Sequence, residues 1–134
     1  MAMDIKKLID DYVSAVNAHD VNKAGSFWAD DGIYENWGQE IVKRGKKELA
    51  DFLNTSFAEL PGIKMEVKSV FQAGDWVGME RVDSGTFAPS HILARHFRYA
   101  LLRSFNYIKV RLSDSQLLQC RDIYAATRVN ASAA

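Results

Sequence analysis

The chain has 134 residues, 48% hydrophobic and 25% charged, an ordinary balance for one domain that buries its own core. Lys plus Arg and Asp plus Glu stand at 17 each, which excludes an overall electrostatic pull toward nucleic acid or an anionic membrane surface. The single cysteine, Cys120, excludes an internal disulfide and fits a reducing, cytoplasmic setting.

The first residues, Met1-Ala2-Met3-Asp4, meet charge at once and carry no signal-peptide core. No apolar run approaches the roughly 18 residues needed to span a bilayer. Ile5, Leu8, Ile9, Tyr12, Val13 and Val16 recur at helical spacing, with Lys6, Lys7, Asp10 and Asp11 outside the stripe. Asp4 is the expected N-cap, and the first helix is expected over 5–17. Asp20 caps a short second helix over 21–28, and Asp30-Asp31-Gly32 reads as a turn. A short strand follows over 33–37; Gly38 breaks it and 40–44 resumes it. A third helix over 47–57 buries Leu49, Phe52, Leu53, Ser56 and Phe57 and ends at Pro61-Gly62.

The remainder reads mostly as sheet. Met65, Val67, Ser69, Phe71 and Ala73 alternate with Lys64, Glu66, Lys68, Val70 and Gln72, as a half-buried strand does. Gly74-Asp75 is a hairpin turn, and 76–87 is its long partner strand, expected near the centre of the sheet. Residues 91–112 admit two strands or one long bulged strand, and a helix over 92–104 also fits. A last strand is expected over 116–124, and from Ala125 onward a loose tail. Three helices followed by a run of strands make a single α+β domain, with helices packed on one face of a curved sheet. The space between helices and sheet is a natural small-molecule pocket.

Alternate residues of a strand point to one face, so Arg81 and Asp83 project side by side. Tyr34 and Asn36 share a face in the same way, and Asp122 offers a second carboxylate near the chain's end. Together these five residues suit the opening of an epoxide by water. One carboxyl group gives a proton to the leaving oxygen and another takes one from the attacking water. An arginine between them fixes both, and a phenol and an amide hold the water. Water is the nucleophile, so no metal or cofactor is required.

The motifs Tyr34-Glu35-Asn36, Glu80-Arg81-Val82-Asp83 and Arg121-Asp122-Ile123-Tyr124 resemble those of the limonene-1,2-epoxide hydrolase family, within the SnoaL-like, NTF2-like cone-shaped α+β folds. That resemblance implies N-terminal helices on a strongly curved mixed or antiparallel sheet. It implies Asp122 as the base that activates water, Asp83 as the acid, Arg81 as the bridge, and Tyr34 and Asn36 as the water's holders. It implies a small apolar epoxide as substrate, no cofactor, no nucleic-acid or membrane partner, and a homodimer formed through the sheet. Two departures stand out. The family's tryptophan before Arg-Asp is Cys120 here, and residues 91–112 do not follow the family closely.

Each feature also has a plainer reading. Charge pairs such as Arg81 and Asp83 commonly decorate a solvated strand face, where they contribute little. Cys120 reads as a small buried residue rather than a nucleophile. His91, Arg95, His96, Arg98, Arg103, Lys109 and Arg111 interleave with Phe97, Tyr99, Phe105 and Tyr107, a pattern that suits single-stranded nucleic acid or simply a sheet with one charged and one aromatic face. The balanced total charge favours the sheet. Two other functions share the fold: an isomerase or cyclase moving protons on a polycyclic ligand, and a non-catalytic binding or dimerisation module.

Overall fold

The structure is a computed structural model that describes residues 4–37, 40–90, 99–111, 113 and 116–130; the side chains of 99–103 and 122–130 lie outside that description. The elements run α1 (Ile5–Asn17), α2 (Val21–Ser26), β1 (Trp28–Asn36), β2 (Ile41–Arg44), α3 (Gly45–Glu59), β3 (Lys64–Ala73), β4 (Trp76–Thr86), β5 (Tyr99–Arg111) and β6 (Gln116–Asn130). The six strands form one sheet in the order β2-β1-β6-β5-β4-β3. Neighbours are antiparallel except β1 and β6, which run parallel, so the sheet is mixed.

Both early helices start where a side chain satisfies a free backbone donor. Asp4 accepts from the Lys7 amide at 3.0 Å, and Asp20 accepts from the Lys23 amide at 3.0 Å. The apolar stripe of α1 is buried at Ile5, Leu8, Ile9, Val13 and Val16, as its spacing predicts. α1 packs on α2 and β3, while α3 packs on α2, β1 and β2. The helices therefore cover one face of the sheet, here the inner face. Asn17 ties the end of α1 to β3: its amide nitrogen donates to the Met65 carbonyl at 2.9 Å and its oxygen accepts from the Met65 amide at 2.7 Å. The core joins α1 to the inner face through Ile9, Trp28, Leu49, Val77, Ile108, Val110 and Leu117. Trp28 places its ring there because its indole N–H donates to the Tyr12 hydroxyl at 3.1 Å. Among the described residues, no helix is long and apolar enough to cross a membrane.

Several expectations change. The second helix stops at Ser26, and Trp28 opens β1 instead of closing the helix. Gly25 weakens that helix, and burying Trp28 in the sheet core outweighs one more helical turn. Asp30-Asp31-Gly32 is no turn. It lies within β1, where the pairing to β6 shifts register between Trp28 and Ile33. Residues 41–44 do not extend β1 but fold back on it as an antiparallel partner. The third helix is longer than expected, and only Leu49 of its stripe is fully buried; Phe52, Leu53, Ser56 and Phe57 are half-buried because they face a cavity.

In β3 the alternation reverses halfway. The pairing to β4 shifts between Val67 and Ser69, so Val70 turns inward and Phe71 outward, 52% exposed. Phe71 lies across Gly78, where an added Cβ would meet its ring at 2.1 Å. β4 does not sit at the sheet centre; it lies next to the edge strand β3, and β5 and β6 take the middle. Within 91–112 the described part is one strand, β5, whose pairing with β6 is irregular at Arg103/Ser104 and at Lys109/Val110. The expected tail is overturned as far as residue 130. Residues 125–130 continue β6 in a ladder with β5 that reaches the Tyr99–Asn130 pair, because backbone pairing needs no large side chain. His91, Arg95, His96, Phe97 and Arg98 lie outside the described residues.

Candidate active site

A cavity of about 460 Å³ opens between α1, α3 and the inner face of the sheet. Its walls are mostly apolar: Val16 from α1, Phe52, Leu53 and Phe57 from α3, Trp28 from β1, Met79 from β4 and Ile108 from β5. Arg81, Asp83 and Tyr34 bring polar atoms to it.

β4 places the pair. Its burial alternates so that Val77, Met79, Arg81 and Asp83 face inward while Glu80 is exposed. The guanidinium of Arg81 turns along its own strand onto the next inward side chain. Nε donates to Asp83 Oδ1 at 2.6 Å and Nη2 donates to Oδ2 at 2.8 Å. The residues are only 5% and 2% exposed. This is a planar, two-point, charge-assisted contact withdrawn from water, unlike an exposed ion pair. Both Asp83 oxygens are engaged. For Asp83 to carry a transferable proton, the proton must sit away from the guanidinium, or one contact must open.

Tyr34 is buried in the inner face of β1, its ring centroid 4.9 Å from that of Phe52 on α3. The Asn36 amide donates to the Tyr34 hydroxyl at 3.5 Å, the outer limit of such a bond. Asn36 is buried beside the cavity rather than lining it. In the backbone register Asp122 lies opposite Asn36 on one side and Asn106 on the other. The Asp122 side chain lies outside the described residues. Its predecessor Arg121 belongs to the outer face: it pairs with Glu35 at 3.4 Å and stacks over Trp37 and Trp76 at 5.6 and 5.5 Å. Cys120 is buried, in register with Tyr34, and lines the cavity where the resembling family carries tryptophan. Among the described residues, no group of three His, Cys, Asp or Glu is placed to hold a metal ion.

Sequence reasoning missed two polar residues on this face. Ser104 and Asn106 of β5 are fully buried, in register with Arg81 and Met79. The signal was present: both fall in the same alternation as Ile108 and Val110, a small break of polarity in an inward row. Phe105 and Tyr107, which alternate with this inward row, point outward and are partly exposed, and Lys109 sits over the Trp76 ring at 5.8 Å.

Three helices on the inner face of an open six-stranded mixed sheet, with a cavity between them, define an NTF2-like fold of the SnoaL type. A family model described as a SnoaL-like domain matches residues 9–111, and the chain belongs to that family. No curated protein matches the sequence. Among solved structures it is similar to a hypothetical protein of ketosteroid isomerase-like fold from Catenulispora acidiphila in complex with trimethylamine (16% identity, 88% of this chain and 85% of that one, TM-score 0.77). It is similar to SalBIII, an epoxide hydrolase/cyclase-like enzyme with a role in pyran ring formation in the polyether salinomycin (14% identity, 92% and 94% covered, TM-score 0.78). It is also similar to an LEH-like epoxide hydrolase of M. tuberculosis (19% identity, 88% and 80% covered, TM-score 0.71). At these identities the likeness establishes the fold alone.

Proposed function

We propose that the protein is a cofactor-independent epoxide hydrolase that adds water to a small apolar epoxide and gives a vicinal diol. The observation that carries this reading is the buried Arg81–Asp83 clamp at the floor of an apolar cavity. A binding module has no need to hold an ion pair out of water, since removing charges from solvent is costly. In the proposed reaction, water attacks one ring carbon as the carbon–oxygen bond breaks. Asp122 takes the water's proton, and Asp83 gives one to the ring oxygen. Tyr34 and Asn36 orient the water, and Arg81 fixes the acid. A proton-shuffling isomerase or cyclase needs one carboxylate and an oxyanion donor, but no second carboxyl group such as Asp122. We further propose a homodimer through the outer face of the sheet, where Phe71, Phe105 and Tyr107 are exposed together.

The test is incubation of purified protein with a panel of cyclic and open-chain apolar epoxides, following diol by chromatography. Folded protein that forms no diol from any of them above the background rate refutes the reading. Light scattering tests the dimer; a monomer at micromolar concentration refutes it.

A further inference from the structure

We propose that Ser104 and Asn106 hold an ordered water on the inner face of the sheet, between the Arg81–Asp83 pair and the row that carries Asn36 and Asp122. Ser104 and Asn106 are 1% and 0% exposed. The Ser104 hydroxyl has no hydrogen-bond partner among the described residues. Burying a hydroxyl without a partner is unfavourable, and alanine would fill nearly the same space without that cost. The hydroxyl therefore points to a bound group.

The register supplies that group's other contacts. Ser104 is opposite Arg81 and Asn106 opposite Met79 on β4; Asn106 is opposite Asp122 on β6, and Asp122 opposite Asn36 on β1. Strands lie about 4.8 Å apart, so Ser104 and Asn106 stand one strand from Arg81 and Met79 on β4, and Asn36 lies two strands, about 10 Å, across the sheet. A buried water takes two to four polar partners. A hydroxyl and carboxamides offer both donors and acceptors, which suits water better than an ion. Ser104, Asn106 and Asn36 are not among the residues that line the cavity. If the protein is an epoxide hydrolase, and this step rests on that reading, the bound water stands behind the reacting groups and refills the position emptied at each turnover.

A crystal structure of the full chain at a resolution that shows ordered water decides the site. The expected result is a water within hydrogen-bond distance of Ser104 Oγ and of the Asn106 or Asn36 amide. Its loss in Ser104→Ala supports the proposal; a water kept on the amides in that variant overturns it. A wild-type Ser104 hydroxyl bonded only to protein also overturns it, and that result needs no variant to fold. If an epoxide is turned over, Ser104→Ala should lower kcat by roughly tenfold with KM little changed, as loss of positioning without loss of binding requires. An unchanged kcat overturns the refilling role. A water present with no epoxide turned over leaves the site standing and removes the hydrolase reading; turnover without the water does the reverse.

Discussion

Asp83→Asn tests the clamp at its centre. The change keeps the side chain's shape and removes its charge. One oxygen still accepts from Arg81, but an amide NH₂ now faces the other guanidinium donor. Arg81 is only 5% exposed, so water cannot replace the lost acceptor. Breaking a buried ion pair costs about 3–5 kcal/mol, and the retained oxygen puts this case near 3. At about 2.1 cal/mol/K of unfolding entropy per residue, a domain of this size loses about 10 °C in Tm. The double change Arg81→Met with Asp83→Leu should recover most of that loss, because an apolar pair of similar volume has no desolvation cost. Both variants should fall at least about a hundredfold in diol formation, the low end for a positioned acid. Calorimetry and urea melts read the stability, and chromatography reads the diol. An Asp83→Asn protein that melts within about 3 °C of wild type would refute a desolvated pair.

Asp122→Asn should lower turnover by at least about a hundredfold, and the Asp83→Asn/Asp122→Asn double variant should be little worse, since one step uses both groups; near-normal kcat assigns the base elsewhere. Turnover should survive exhaustive EDTA treatment, because water and carboxyl groups carry the proposed chemistry; loss restored by one divalent ion would overturn it. Asn17→Ala removes both side-chain bonds to Met65 and should cost about 2 kcal/mol in urea melts. Gly32→Ala places a Cβ 2.7 Å from the Trp28 ring and 3.1 Å from the Ala29 carbonyl, and should cost about 1–3 kcal/mol by the same measurement.

The helices and the β3–β4 hairpin were legible because their cues are local. Asp4 and Asp20 announce their caps, α1 shows its stripe, and Gly74-Asp75 marks its hairpin. That Arg81 and Asp83 share one face followed from strand geometry alone; that the face is the inner one became visible only in the structure. What failed depended on partners distant in sequence. Trp28 leaves the helix because Leu117, far along the chain, receives it in the sheet. Asp30 and Asp31 look like turn residues, yet the exposed side of β1 tolerates them. The flip at Lys68 inserts one residue against β4, and its one local sign in β3 is Val70, an apolar residue among the polar positions of the alternation. Residues 125–130 were read as a tail because Ala and Thr carry little hydrophobic signal, while β5 offers their backbone a ladder. In the site, Arg81, Asp83 and Tyr34 were found through their motifs, whereas Ser104 and Asn106 belong to no motif and became visible only when their burial was known.

The position of β6 between β1 and β5 has a consequence for biogenesis. As the ribosome extends the chain, β1 and β2 can pair early, and β3, β4 and β5 can pair next. These two part-sheets have no strand contact with each other until β6 is made and slots between them. Tyr34 and Asn36 belong to one part, Arg81 and Asp83 to the other. Nascent chains stalled before Gln116 would display two open strand edges and half of each cavity wall, a state prone to sticking to its own kind. The distant pairing also favours slow, all-or-none maturation, so the cell would hold either a finished cavity or none.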